Sequence, residues 1–121
     1  MPPRSIAVVT SARADYGHLY WPLVELAARD DVALRLFVTG AHLAPEFGHS
    51  VDVIERDGFD IAGRVECLLS SDTDGAMART VGVATLGFTD HFERVRPDLV
   101  VIVADRYEML APAIVAMTLR I

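Results

Sequence analysis

The residues best suited to chemistry gather in three short segments. Ser11-Ala12-Arg13-Ala14-Asp15-Tyr16-Gly17, Thr39-Gly40-Ala41-His42 and Ala104-Asp105-Arg106-Tyr107-Glu108 each follow an apolar, β-branched run. A guanidinium at Arg13, between a buried strand and a helix start, can hold a phosphate through paired N–H donors. The other reading of Arg13 is a partner of Asp15 or Asp105 that only fixes the loop. Asp105 ends a stretch of six apolar residues, Leu99–Ala104. A partly desolvated carboxylate there is placed to have a raised pKa and to act as general acid or base. The competing role is to cap a helix that begins near Tyr107 or Glu108. Arg106 would orient or neutralise Asp105. Glu108 reads as a first-turn residue favoured by the helix dipole. His42 can donate to a ligand oxygen, or it can serve as a structural hydrogen-bonder.

Other chemistries find little support. The first segment holds one glycine, Gly17, where a dinucleotide fingerprint needs three, and it has no phosphate-loop lysine. His18, His49 and His91 show no metal-ligand spacing with carboxylates, so no metal site is expected. Cys67, the single cysteine, cannot form an internal disulfide and reads as a small buried hydrophobe. Tyr20 and Trp21 read as helix packing residues. Eleven Lys+Arg against seventeen Asp+Glu give a net charge of −6. That balance argues against a nucleic-acid partner gripped through phosphates. The N-terminus shows no charged-then-apolar leader, and the longest apolar run falls far short of the ~20 residues that span a bilayer. The expectation is a cytoplasmic protein with no membrane partner.

The elements that must position these segments follow from periodicity. Ser5–Ser11 reads as a strand buried on both faces. Leu19, Tyr20, Leu23, Val24 and Ala27 recur at helical spacing, and Pro22 predicts a helix start near Leu19–Trp21. Ala33–Thr39 is a second strand, and Gly40–His49 a loop. Ser50–Asp57 is a short helix with Ser50 as its N-cap and Gly58 as its stop. Val65–Leu69 reads as a weaker third strand. From Ala76 a long helix carries one stripe of Met77, Val81, Ala84, Phe88, Phe92 and Val95. Leu99–Ala104 is the most apolar strand, and Glu108–Leu119 a final helix. Strands alternating with helices predict one α/β domain over 1–121, an open parallel sheet with helices on both faces (Rossmann-like). In such a sheet ligands bind beyond the carboxyl ends of the strands, which is where the three segments lie. The chain is 121 residues long with a mean hydropathy of +0.33, high for so small a domain. The last helix is apolar on nearly every face, which predicts an exposed apolar patch or a partner that hides it.

An ordered series of motifs resembles a known family. Arg13-Ala14-Asp15-Tyr16-Gly17, Val38-Thr39-Gly40-Ala41-His42-Leu43, Phe47-Gly48, Val53–Ile61, Arg96-Pro97-Asp98 and Asp105-Arg106-Tyr107-Glu108 follow one another as in the N-terminal part of the UDP-N-acetylglucosamine 2-epimerases. The first and last of these resemble the hydrolysing branch, which makes N-acetylmannosamine for sialic-acid-type sugars. The resemblance covers nearly the whole chain. It implies the N-terminal domain of a two-domain, glycosyltransferase-B-like fold, here incomplete. It also implies a UDP-sugar in the cleft between domains, no cofactor, and a homo-oligomer in the full-length protein. By resemblance Asp105 is the catalytic acid/base, Arg13 lies on the diphosphate side, and His42 and Arg106 lie near the substrate. The implied chemistry is loss of UDP with removal of the C2 proton, then addition of water to leave the C2 epimer. A UDP-diacetamido sugar is the alternative substrate, and a non-catalytic α/β binding or interaction domain the alternative role.

Two departures stand out. The family usually has glycine where this chain has Ala104, and a β-carbon there could crowd a ligand. The family also continues into a Gly-Gly-Glu-type segment and a nucleotide-holding C-terminal domain, neither of which lies within these residues. The chain alone is therefore expected to be inactive.

Overall fold

In the computed structural model, which describes residues 2–121, four strands form one fully parallel sheet. The strands are β1 (Arg4–Thr10), β2 (Val32–Thr39), β3 (Ile61–Val65) and β4 (Leu99–Ile102), in the order β3-β2-β1-β4. The helices between them are α1 (Arg13–Ala28), α2 (Val51–Arg56), α3 (Asp74–Val95) and α4 (Leu110–Thr118). Successive residues of a strand face opposite ways, and the core divides accordingly. Ala7, Val9 and Phe37 pack with Phe88 and Phe92 of α3 and Val115 of α4. Val8, Leu36 and Val38 pack with Leu19 and Leu23 of α1 and Val51 and Ile54 of α2. Both faces are thus covered, as the alternation requires.

The strand order sets the position of the site. From β1 the chain moves outward to β2 and β3, and then α3 carries it back to β4 on the other side of β1. The direction of winding reverses between β1 and β4, and such a switch point opens a crevice beyond the strand ends. Register places Val9 beside Ile102 and Thr10 beside Val38. The segments carrying Arg13, His42 and Asp105 therefore leave the sheet from three neighbouring strands.

Three expectations need correction. Helix α1 begins at Arg13, well before Leu19–Trp21, and Pro22 lies inside it. Asp15 makes the early start possible: its carboxylate accepts the N–H of Ala12 at 3.4 Å, so the first turn is capped from within. Pro22 is exposed, as is His18 four residues earlier, whose carbonyl loses its helical donor on the solvent side. The third strand is Ile61–Val65 rather than Val65–Leu69. Its glycine and exposed Arg64 disguise it. Helix α3 crosses it so closely that a β-carbon on Gly87 would lie 2.7 Å from Val65 Cγ1. Cys67 consequently falls beyond the strand, although it is buried as expected. Finally, β4 ends at Ile102, so Val103 and Ala104 lie beyond the strand expected over Leu99–Ala104; the expected loop Gly40–His49 is borne out and holds two 3₁₀ turns, Gly40–Leu43 and Pro45–Phe47.

Helix α3 buries Ala84, Phe88 and Phe92, with Met77, Val81 and Val95 half-buried beside them. Thr73 caps it, its hydroxyl accepting from Ala76 N at 3.2 Å. The last helix is apolar on more than its packed face. Val115 is buried, Ile114 and Leu119 are half-buried, and Leu110 and Met117 are 56% and 69% exposed.

Candidate functional site

The first two segments are tied together by a buried hydrogen-bond chain. Asp15, the third residue of α1, accepts the hydroxyl of Thr10, the backbone N–H of Ser11 (3.1 Å to Oδ2) and the Ser11 hydroxyl (2.8 Å). Thr10 Oγ1 also lies 2.9 Å from His42 Nε2, and His42 Nδ1 lies 2.8 Å from Ser50 Oγ. An ionised carboxylate can only accept, so every proton along the chain has one consistent placement. Thr10 donates to Asp15, His42 Nε2–H donates to Thr10, and Ser50 donates to Nδ1. His42 is fully buried and its pKa is pushed down to about 4, chiefly by desolvation. It is the neutral Nε2–H tautomer, and both ring nitrogens are engaged. His42 therefore bears on a ligand only through the loops it braces. Its backbone N–H donates to Ser11 O at 3.1 Å, a second tie between the loops after β1 and β2.

Ser50 does not act as the α2 cap expected of it. Its side chain makes no capping hydrogen bond because its hydroxyl is turned to His42. Asp15 is likewise unavailable to Arg13. The Arg13 guanidinium is exposed and has no ion-pair or hydrogen-bond partner among the described residues.

The segment after β4 is organised differently. Asp105 is exposed, so the desolvation expected of it is absent from this chain. Nor does it cap a helix: the residue before the 3₁₀ turn Tyr107–Met109 is Arg106, and the residue before α4 is Met109. Glu108 also departs from its reading as a dipole-favoured surface residue. It is 0% exposed and accepts Arg106 Nε at 2.6 Å. That bond raises the Arg106 pKa further, and the charge of Asp15 adds to the effect. Arg106 and Tyr107 form a wall common to two concavities. One, of about 300 Å³, is also lined by Phe47, Leu68, Ser70 and Asp72. The other, more open and about 450 Å³, includes Ala104 and Asp105. A larger hollow of about 800 Å³ lies between β3 and α3 and touches none of the residues singled out by sequence. Among the described residues no His/Cys/Asp/Glu group is arranged to hold a metal.

Arg13, Asp105 and Arg106 are thus presented, with free donor or acceptor atoms, at the carboxyl ends of the two strands flanking the switch point. His42 is buried and bonded to Thr10 and Ser50 instead. Sequence reasoning gives Asp15, Ser50 and Glu108 other roles and does not single out Thr10. The sequence signals for the network were slight: a hydroxyl ending β1 and a carboxylate three residues after Ala12.

Over residues 24–121 the sequence matches the family model described as UDP-N-acetylglucosamine 2-epimerase. The chain belongs to this family. Among curated relatives, it is 42% identical over 118 residues to a hydrolysing UDP-N,N'-diacetylbacillosamine 2-epimerase of Legionella pneumophila. That match covers 98% of this chain and 31% of the relative. It is 37% identical to a hydrolysing GDP/UDP-N,N'-diacetylbacillosamine 2-epimerase of Campylobacter jejuni, over 100% of this chain and 31% of the relative. It is 30% identical to a UDP-N-acetylglucosamine 2-epimerase of Neisseria meningitidis, over 93% of this chain and 29% of the relative. The chain therefore spans about a third of the length of the epimerases it matches. The fold agrees with solved structures. A UDP-N-acetylglucosamine 2-epimerase superimposes with a TM-score of 0.84 at 16% identity, covering 100% of this chain and 31% of that one. The Neisseria meningitidis enzyme bound to UDP-GlcNAc gives 0.77 at 15% identity, covering 97% and 30%. The sheet is that of the epimerases' glycosyltransferase-B-like architecture. Among the described residues no helix is long and apolar enough to cross a membrane.

Proposed function

We propose that these residues form the N-terminal part of a hydrolysing 2-epimerase for a UDP-linked 2-acetamido sugar. The observation that carries this reading is that an accessible carboxylate, Asp105, and two accessible guanidinium groups, Arg13 and Arg106, all follow the two strands that flank the switch point of an epimerase-family sheet. Breaking the bond to UDP needs donors for the departing diphosphate, and Arg13 and Arg106 supply them. The proton on C2, the carbon that bears the acetamido group, is weakly acidic and needs a base held close to it. Asp105 takes that role, or delivers a proton to the opposite face of C2 in the glycal-like intermediate as water adds its hydroxyl at C1. His42 has no free ring nitrogen, so its part is to hold the Arg13 loop in register with the loop after β2.

The identities favour the diacetamido sugar over UDP-N-acetylglucosamine. Two relatives named for diacetylbacillosamine stand at 42% and 37%, against 30% for the Neisseria enzyme. The 121 residues offer one wall of the cleft, about a third of the relatives' length, and no turnover is expected of them alone. The test is an epimerase of full family length carrying these residues, assayed for UDP release with each sugar nucleotide. Asp105→Asn is expected to lower turnover by about 10²–10⁴-fold, the usual contribution of a general acid or base. Undiminished turnover in that variant overturns the role of Asp105. Faster turnover of UDP-N-acetylglucosamine than of the diacetamido nucleotide overturns the substrate assignment.

A further inference from the structure

Glu108 has no place in the chemistry just described, yet its burial is complete and one of its oxygens is left over. Oε1 accepts Arg106 Nε at 2.6 Å, while Oε2 is buried without a partner among the described residues. The carboxylate is also keyed to the loops after β1 and β2. Gly40 sits at φ +62°, and a β-carbon there would lie 3.0 Å from Glu108 Oε1 and 3.1 Å from the Ser11 carbonyl. Glycine keeps that space open, so Glu108 reaches under the strand ends and Arg106 is anchored from below.

The consequence lies in the geometry of the guanidinium. Its five N–H donors form a rigid plane. With Nε held by Glu108, the plane cannot rotate freely, and the Nη1 and Nη2 groups, which have no partner among the described residues, form its outward edge. The Arg106 side chain is 39% exposed and forms part of the 300 Å³ cleft. We infer that Glu108 is a positioning residue that fixes the Nη edge of Arg106 toward the cleft, so that it chelates two oxygens of a nucleoside diphosphate. The pair is neutral in sum, so its contribution is direction more than attraction. The uncompensated charge comes from Arg13. This inference rests on the epimerase reading for the identity of the anion.

The test uses an epimerase of full family length that carries these residues, with UDP as the probe and ¹⁵N spectra that resolve arginine Nε–H signals. The wild type is expected to show a slowly exchanging Arg106 Nε–H, and its signal is expected to move on UDP addition. Glu108→Gln keeps an acceptor and should retain both properties. Glu108→Ala should lose the slow exchange and weaken UDP binding at least fivefold, with the remaining backbone signals in place. Arg106→Ala should weaken binding by a similar factor, and the double variant no further, because the two residues act as one unit. Additive losses in the double variant, or wild-type binding by Glu108→Ala, overturn the inference. UDP that perturbs the Arg13 and His42 loops but leaves Arg106 unmoved also overturns it, and the proposed function then stands. No response to UDP from any strand-end loop counts against the epimerase reading itself, and the anion role of Arg106 falls with it.

Discussion

The loops after β1 and β2 differ sharply from the segment after β4. In the first pair, Asp15, Thr10, His42 and Ser50 are buried, and all of them are tied into one hydrogen-bonded chain. After β4, Asp105 is exposed and has no partner among the described residues, and Arg106 is held there at one atom only. Arg13 apart, the first region keeps its polar groups for itself, whereas the second buries Glu108 and presents Asp105 and the outer edge of Arg106. A buried polar network contributes rigidity when every member is satisfied and is costly when one partner is removed. Exposed groups without partners contribute little to stability and are free to act on a ligand. The contrast separates residues that build the site from residues that use it, and each side can be tested.

The largest effect should come from Asp15→Ala. It strands the Ser11 N–H and the Thr10 and Ser11 hydroxyls in the interior, and about 3–4 kcal/mol of unfolding free energy should be lost. Urea titration checks this, and a loss under 1 kcal/mol would place the network among the incidental contacts. Acid is the next lever. The folded pKa of His42, about 4, lies below its ordinary value of 6.5. Between these values the unfolded chain binds the extra proton, so stability is full above pH 6.5 and falls as pH drops toward 4. The loss attributable to His42 is at most about 3 kcal/mol. Comparing denaturation of wild type and His42→Gln across that range isolates it, and parallel pH profiles would show that His42 is not buried neutral. Gly40→Ala should cost about 2 kcal/mol, from its left-handed backbone and the tight approach of Glu108 and Ser11 O. It should also loosen Arg106, seen as faster exchange of its Nε–H. Smallest of all, Asp105→Asn should change stability by less than about 0.5 kcal/mol, because Asp105 is exposed and bonded to none of the described residues. A large destabilisation there would erase the contrast between the two regions.

How much of this was legible in sequence varies with the range of the interactions involved. The alternation of β-branched runs with helical stripes is local, and it led to the parallel sheet, the two packed faces and the three strand-end segments. Arg13, Asp105 and Arg106 stand out in sequence because they lie in segments that follow apolar strands, at the carboxyl ends where an open parallel sheet meets its ligands. The start of α1 was misjudged because Pro22 is a strong local signal. The compensating cap from Asp15 is weaker in sequence and depends on a carboxylate turning back to Ala12. The strand Ile61–Val65 was misplaced because its glycine and arginine suit an edge strand, and pairing with β2 alone defines it.

Sequence by itself thus determined the fold class, the family and the strand ends at which ligands are met, since these follow from periodicity and short contiguous motifs. Tertiary structure decided which ionisable groups are spent on holding the loops and which remain available. Thr10 and His42 are 32 residues apart and meet because parallel register sets β1 beside β2. Glu108 lies under Gly40 because β4 returns to the far side of β1. A hydrogen bond of 2.6–3.1 Å depends on ångström-scale placement of two backbones, and residue type and spacing along one chain do not carry that information.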